Sequence, residues 1–446
     1  MARGRGVLAG ARRRRLNAGA AETRPADLAG WLAYLETLHP SAIALGLDRV
    51  RAVRARLDAP LGCPVVTITG TNGKGSTAAM LEAMLRAAGY RTGLYSSPHL
   101  MRYNERVRLD GRDASDESLV DAFHAVEDAR TAAIPAIPLT YFEFGTLAAL
   151  LLFARSAPDA LVLEVGLGGR LDAVNVVDAD VSIVTSIDLD HRDWLGDTRD
   201  SVGREKAGVF RAGRPAICGD ADPPRALVDE AERVGARLLV AGRDFTAVAE
   251  GTQWRYRGPA SDRFGLPIPA LRGRYQLDNA ACAITALDAL RERLPVSANA
   301  LREGLVSVEL AGRFQVLPGR PTRVLDVAHN PHAARALAGC LASMGYHRDT
   351  RAVLGMLADK DIDGVVAAVR GQVDRWTVAP LPGPRGASAA MLAAALARAG
   401  VPGDRIATAP DVASAWRSAR EAAGETDRIV AFGSFLTVAA ALAAER

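Results

Sequence analysis

The sequence predicts an α/β protein of two doubly wound domains, the second smaller than the first. Three observations carry that expectation. Residues 65–97 read as strand, glycine-rich turn, helix and strand. Continuous apolar runs then alternate with helical segments, the pattern of a parallel sheet covered on both faces. Pro318, Gly319 and Pro321 interrupt that alternation, which resumes beyond them. The expected division is 1–26, a disordered basic tail; 27–315, a domain with a mostly parallel sheet plus short antiparallel strands; and 316–446, a Rossmann-like domain.

Composition sets the bounds. A chain of 446 residues is too long for one ordinary core. Hydrophobic residues make up 49% and charged residues 24%, the balance of a soluble globular protein. No run approaches the ~20 apolar residues of a membrane span, so no membrane partner is expected. The formal charge is +4 and much of it sits in the first fifteen residues, which argues against a nucleic-acid partner. Cys63, Cys218, Cys282 and Cys340 are far apart, with no CxxC pair, as befits reduced thiols in a cytoplasm. Residues 1–26 hold Arg3, Arg5 and the arginine run 12–15 without a secretory apolar stretch. Being Arg-rich and acid-poor until Glu22 they could be an organelle transit peptide, but with only Thr23 as a hydroxyl residue and no clear amphipathic face they read rather as a basic tail or as a start codon placed too far upstream.

Along the chain, 27–57 has a helical pattern (Leu28, Trp31, Leu32, Leu35, then Val50, Val53, Leu57). VVTIT at 65–69 is a β-branched strand, and Met80, Leu81, Met84, Leu85 and Ala88 mark one face of the helix that follows, with Gly89 at its stop. TGLYSS at 92–97 is the next strand, RYNERVR at 102–108 a basic stretch, and 115–130 a helix. IPAIP at 134–138 is a stiff loop, because proline fixes φ and restricts its predecessor. A helix over 143–155 and buried strands at 160–165 and 181–187 follow. Strand–helix–strand over 215–245, short antiparallel strands over 246–275 and a helix over 276–290 complete the first domain. TRVLDVA (322–328), RAVLGM (351–356), RWTVAP (375–380) and RIVAF (428–432) are the strands of the second.

The turn Gly70-Thr71-Asn72-Gly73-Lys74-Gly75-Ser76 has the makings of a phosphate cradle. Its glycines let backbone N–H groups face phosphate oxygens, and the helix start adds partial positive charge. Lys74 can neutralise β/γ-phosphate charge, and a hydroxyl of Ser76 or Thr77 can face Mg²⁺. The match to the common P-loop pattern is incomplete: Ile68 stands where a glycine is usual and Gly75 where Ser or Thr is usual. Ligands bind beyond the carboxyl ends of such strands. Ser97, Glu164, Asp188, Asp190 and His191 all fall there.

GTNGKGS followed by YSSPHL (95–100) resembles folylpolyglutamate synthases of the Mur-ligase superfamily, ATP-dependent amide-forming enzymes. TYFEFG (140–145), LEVGLGGRLDA (163–173), DLDH (188–191), GREKAG (203–208) and DVAHNP (326–331) extend the likeness, which is nearest to the bacterial bifunctional dihydrofolate synthase/folylpolyglutamate synthase form. The resemblance implies an N-terminal P-loop ATPase domain and ligation of L-glutamate to dihydropteroate and reduced folates through an acyl phosphate. It implies that Thr71, Asn72, Gly73, Lys74, Gly75, Ser76, Asn279, Arg313 and Asp326 contact ATP. It assigns Ser97 and Glu164 to one Mg²⁺ and His191 to another, with K⁺ a further candidate cation. Lys206 would carry a CO₂-derived carbamate. Thr140, Tyr141, Phe142, Glu143, Leu171, Asp172, Ala173 and Ser434 would meet the substrate, and Lys74, Lys206, Arg313 and His329 would serve catalysis. A cytoplasmic monomer is expected.

Bland roles compete at several positions. Asp326 could cap a helix over 329–343. Tyr141 and Phe142 could be core, Glu164 could pair with Arg170, and Lys206 could be an exposed helix lysine. Rival functions are a folylpolyglutamate synthase only, a Mur-type ligase on another carboxylate, and a non-catalytic ATP-binding switch.

Overall fold

The computed structural model describes residues 24–41 and 43–445. The expected basic tail thus lies outside the described residues except for 24–26, where Arg24 pairs with Asp128 at 2.6 Å on the surface.

Two helices, α1 (Leu28–Thr37) and α2 (Asp48–Arg54), form within the helical pattern of 27–57, one at each of its two apolar groups. The segment 65–97 then forms as anticipated: β1 (Val65–Thr69), α3 (Lys74–Ala87) and β2 (Thr92–Tyr95). β3 (Val107–Leu109) and β4 (Arg112–Asp113) add an antiparallel edge. The chain continues through α4 (Asp116–Thr131), α5 (Tyr141–Ser156), β5 (Ala160–Glu164), β6 (Val181–Val184), α6 (Arg192–Leu195), α7 (Arg199–Ala207), β7 (Pro215–Cys218), α8 (Arg225–Val234) and β8 (Arg237–Val240). The eight strands order as β4-β3-β2-β5-β1-β6-β7-β8, with β2, β5, β1, β6, β7 and β8 parallel. β1 therefore lies between β5 and β6, and the residues that follow these three strands meet at one end of the sheet.

β9 (Thr246–Glu250), β10 (Gln253–Arg257) and β11 (Asp262–Pro267) form the expected antiparallel sheet, followed by α9 (Tyr275–Ala289) and α10 (Ala298–Ser307). One face of the large sheet packs with α1, α2, α4 and α5 around Trp31, Phe123, Phe144 and Phe153. The other packs with α3, α9 and α10 around Met80, Met84, Ile284 and Leu301. Coverage of both faces explains why the parallel strands carry apolar residues without alternation.

The second sheet is β12 (Gln315–Leu317), β13 (Thr322–Asp326), β14 (Thr350–Leu354), β15 (Arg375–Val378), β16 (Ile406–Thr408) and β17 (Arg428–Phe432), in the order β12-β13-β17-β14-β15-β16. All its pairings are parallel except β12 with β13. The helices α11 (Pro331–Ser343), α12 (Ile362–Val369) and α13 (Ala389–Arg398) cover one face, and α14 (Val412–Ala422) and α15 (Phe435–Ala443) the other. This sheet opens at Gln315, the last residue assigned to the first domain by the sequence.

Candidate active site

The glycine turn forms its cradle despite the two departures from the usual pattern. Gly73 has φ 87°, a left-handed conformation that glycine adopts without strain, and it starts α3 at Lys74. A side chain there would also run into the Asn279 amide, so α9 packs directly onto the loop. Lys74 Nζ donates to Gly70 O at 2.9 Å and Thr71 O at 3.3 Å. The Ser76 hydroxyl accepts from Gln276 Nε2 at 3.3 Å.

Arg313 and Glu164 converge on Gly75. A Cβ built on Gly75 would lie 3.6 Å from Glu164 Oε2 and 3.7 Å from Arg313 Nη2. The Glu164 carboxylate is buried and accepts from Ser97 N at 3.2 Å. Burial pushes this carboxyl above the usual carboxylate range, with Lys74 opposing the shift. Burial likewise lowers Lys74, with Glu164 opposing. The two groups thus compensate each other at the floor of a cleft of about 1390 Å³.

The residues that the resemblance assigns to ATP, metal, substrate or catalysis line that cleft, whereas Thr77, offered beside Ser76 as a hydroxyl for Mg²⁺, is buried in α3 and does not. Lys206 is only 3% exposed, which removes the surface-lysine reading. Burial, with Lys74 adding to it, brings its amine down to about 7. The glycine-rich loop after β5 allows this placement: a Cβ on Gly169 would crowd Glu205 O at 3.0 Å and Lys206 O at 3.1 Å, so the loop packs against the backbone of α7. Arg170 bonds Glu205 at 2.7 Å and not Glu164. His191 lines the cleft with φ 52°, uncommon for a residue with a Cβ, and caps the short α6, where Trp194 is 44% exposed.

Several assigned side chains are already engaged locally. Thr140 and Glu143 form a reciprocal capping box on α5, and Arg49 holds Glu143 at 2.8 Å. Tyr141 and Phe142 therefore stand in the first turn of α5, two residues earlier than the helix expected from 143. Asp172 accepts from Leu167 N at 2.9 Å and Val174 N at 3.0 Å, beside Leu171 and Ala173, and burial brings it up to about 6. Asp326 accepts from Phe314 N and Ala328 N, both at 2.8 Å, holding the segment that carries Arg313. Asp326 is not the cap of α11: that is Asn330, which accepts from Ala333 N at 2.9 Å. Ser434 caps α15.

Polar contacts join the two sheets across the cleft. Asn72 and Asn330 exchange amide hydrogen bonds at 3.2 and 3.0 Å. Asp190 accepts from Lys360 at 2.6 Å and Asn330 at 3.1 Å, and lies 3.5 Å from His329 Nε2. Burial alone would raise the Asp190 carboxyl, but His329 and Lys360 hold it well below the carboxylate range. The other ring nitrogen of His329, Nδ1, lies 2.9 Å from Val327 O, so the ring is held between a backbone carbonyl and the Asp190 carboxylate. The sequence does not single out Lys360, Asn330 or His332, whose Nδ1 lies 2.9 Å from Asn72 Nδ2, although Asn330 falls in the motif DVAHNP.

Among the described residues no three His, Cys, Asp or Glu side chains form a metal cage. A hard divalent cation at Ser97, Glu164 or His191 would take most of its ligands from phosphate and water, which suits a metal–nucleotide.

Fold and site together define an ATP-dependent ligase of the Mur type. The Mur ligase middle domain matches residues 68–287, and the Mur ligase glutamate ligase domain matches 312–435. The chain is 46% identical over 413 residues to the dihydrofolate synthase/folylpolyglutamate synthase of Escherichia coli, covering 92% of this chain and 94% of that one. It is 34% identical over 395 residues to the Mycobacterium tuberculosis protein of the same name, covering 83% and 81%. The crystal structure of E. coli FolC with DHPP and ADP superposes with a TM-score of 0.88 at 46% identity, covering 94% of this chain and 97% of that one. A bifunctional folylpolyglutamate synthase/dihydrofolate synthase with Mn, AMPPNP and L-glutamate bound gives 0.87 at 47%, covering 95% and 100%. The chain belongs to the dihydrofolate synthase/folylpolyglutamate synthase family of Mur ligases.

Proposed function

We propose that this chain ligates L-glutamate to dihydropteroate and to reduced folates, using ATP and releasing ADP and phosphate. The observation that carries the reading is the convergence of Lys74, Arg313, Glu164 and Lys206 with Tyr141 and Phe142 in one cleft. An ATP-binding switch has no need of the last four together. The bifunctional relatives, and the DHPP and L-glutamate in their structures, support the choice of substrates.

A carboxylate resists nucleophilic attack because of its charge. Transfer of the γ-phosphoryl group to it gives an acyl phosphate with a good leaving group. The glutamate amine attacks the acyl carbon, an oxyanion forms, the nitrogen gives up a proton to water, phosphate departs and the amide remains. Lys74 and Arg313 sit to stabilise charge on the transferring phosphoryl group. A bound polyanion also keeps Lys74 protonated against its burial. Mg²⁺, held through Ser97 and Glu164 and a second ion through His191, would add Lewis-acid stabilisation. Asn279, packed on Gly73 of the loop, and Asp326, which holds the Arg313 segment, are read as ATP contacts. His329 and Lys360, at the seam between the sheets, and Ser434 are the second domain's candidates for contact with the incoming glutamate.

Lys206 is read as carbamylated. Its amine attacks CO₂, an N–C bond forms, a proton leaves to water, and a cation becomes an anion beside Lys74. The lowered amine, near 7, holds a fraction of the neutral form that this addition needs. K⁺ remains a candidate cation, and a cytoplasmic monomer is the expected state. No helix among the described residues is long and apolar enough to cross a membrane. The domain boundary is proposed after Gln315, at the start of β12.

The two acids differ in how far the reacting carboxylate lies from the pterin. One fixed pterin pocket cannot present both to one phosphate, so the ring takes two positions or poses. Phe142 packs on Gly166 and against Tyr95, beside the Asp172 loop. Phe142→Ala should therefore lower kcat/KM for dihydropteroate about tenfold or more, and for tetrahydrofolate less. Phosphate release, assayed with ATP, glutamate and each acid in turn, tests both points. Activity on tetrahydrofolate and none on dihydropteroate would leave a folylpolyglutamate synthase only. Equal losses in the variant would refute separate poses.

A further inference from the structure

The basic stretch 102–108 contains three arginines with different surroundings. Arg102 pairs with Asp116 at 3.0 Å, and Arg108 with Glu82 at 3.0 Å. Arg106, between them, makes no ion pair among the described residues. Its one side-chain hydrogen bond is from Nε to His99 Nδ1 at 2.8 Å. The nearby Glu105 is unavailable, because its carboxylate accepts from the backbone N–H groups of Leu100, Met101 and Arg102. Arg106 is held instead by aromatic faces: its guanidinium carbon is 5.4 Å from the Tyr103 ring centroid and 5.6 Å from that of Tyr141.

A half-buried guanidinium fixed by two rings and a neutral acceptor has lost much of its rotamer freedom. It retains N–H donors that no carboxylate among the described residues occupies. Such a group is preorganised for an anion, and a bidentate carboxylate fits its planar fork. The fixing contacts also place it within the cleft. Arg106 O accepts from Ser96 N at 2.9 Å, next to Ser97 and hence to Glu164. Its side chain reaches Tyr141. Arg106 thus stands on the wall between the aromatic pocket and the phosphate end. The acid substrate must run along that wall.

The two acids of the proposed reaction differ in their anions. Dihydropteroate has one carboxylate, which is the one activated. A folate ends in a glutamyl group with two, of which one is activated and the other is a bystander. We propose that Arg106 binds the bystander carboxylate of the folate's terminal glutamyl group, so that it governs chain extension and not the first glutamylation. This rests on the ligase reading above. One cleft can then serve two acids of unequal length: the ring contacts hold the shorter one, and the Arg106 contact registers the longer one against the phosphate.

The test compares Arg106→Gln and Arg106→Lys with wild type on three acids. These are dihydropteroate, tetrahydrofolate, and a tetrahydropteroyl-4-aminobutyrate in which hydrogen replaces the bystander carboxylate. The expected result for Arg106→Gln is a loss of about ten- to a hundredfold in kcat/KM for tetrahydrofolate, mainly in KM, from losing one charge-assisted contact. The loss on dihydropteroate should stay within about threefold, and Arg106→Lys should recover part of the folate activity. Wild type should disfavour the analogue by a similar factor, and Arg106→Gln should no longer distinguish analogue from folate. Equal losses on both natural acids would overturn the proposal, as would a discrimination against the analogue that survives in the variant. A raised KM for glutamate with either acid would assign Arg106 to the amine substrate and also overturn it. A variant that merely misfolds would lose all three activities and melting temperature together, and Arg106→Lys then decides through the same ratios. Wild type inactive on both acids would sink the ligase reading itself, an outcome distinct from any of these.

Discussion

Lys206→Ala should lower kcat by about a hundredfold to a thousandfold, the usual cost of removing a preorganised charge from a phosphoryl or acyl transfer site. ATP affinity should change much less, since Lys206 lies in α7 and outside the glycine loop. The wild-type protein from a CO₂-replete preparation should carry an added carboxyl mass on this lysine. At fixed dissolved CO₂, the modified fraction should rise as pH rises through about 7, because only the free amine adds CO₂. Activity of the alanine variant should recover in part with a small added carboxylate. Native-state mass spectrometry and single-turnover kinetics check these points. Normal turnover by Lys206→Ala would remove the catalytic role, and an unmodified lysine in an active preparation would remove the carbamate alone.

Glu164→Gln should raise the Mg²⁺ concentration needed for half-maximal turnover by about tenfold or more and lower the maximum, because a neutral amide is a poorer ligand for a hard cation. The substitution keeps the shape and leaves an acceptor for Ser97 N. It also strips the compensating charge from Lys74 and Arg313, so binding of metal-free ATP should hold or tighten. Turnover titrated with Mg²⁺, alongside nucleotide binding in chelator, separates the two effects. A Mg²⁺ dependence that does not move would make Glu164 a structural partner of Lys74.

Much of this architecture was readable because parallel strands buried on both faces leave uninterrupted apolar runs, as at 65–69, 160–164 and 428–432. Short edge strands leave no such trace. β4 has two residues and β16 three, and β3 sits inside a stretch whose arginines dominate its composition. The start of α5 at Tyr141 depends on a capping box whose glutamate could as easily be read as a ligand. Asp326 invited a helix cap, but the loop to α11 runs on to Asn330, whose amide does that work. The residues that join the sheets were least legible. Asn72 meets Asn330 and Asp190 meets Lys360 across separations of 258 and 170 residues, and no local pattern marks such partners. Arg106 was visible as one charge in a run; only its lack of a carboxylate partner among the described residues sets it apart.

Trp194 has a practical consequence. The other four tryptophans, Trp31, Trp254, Trp376 and Trp416, are at most 1% exposed, whereas Trp194 is 44% exposed three residues from His191 at the cleft. A water-borne quencher such as acrylamide should therefore reach chiefly one indole. Its red-shifted emission forms a natural optical channel for the short helix behind His191, readable without a label while the buried four supply a constant background.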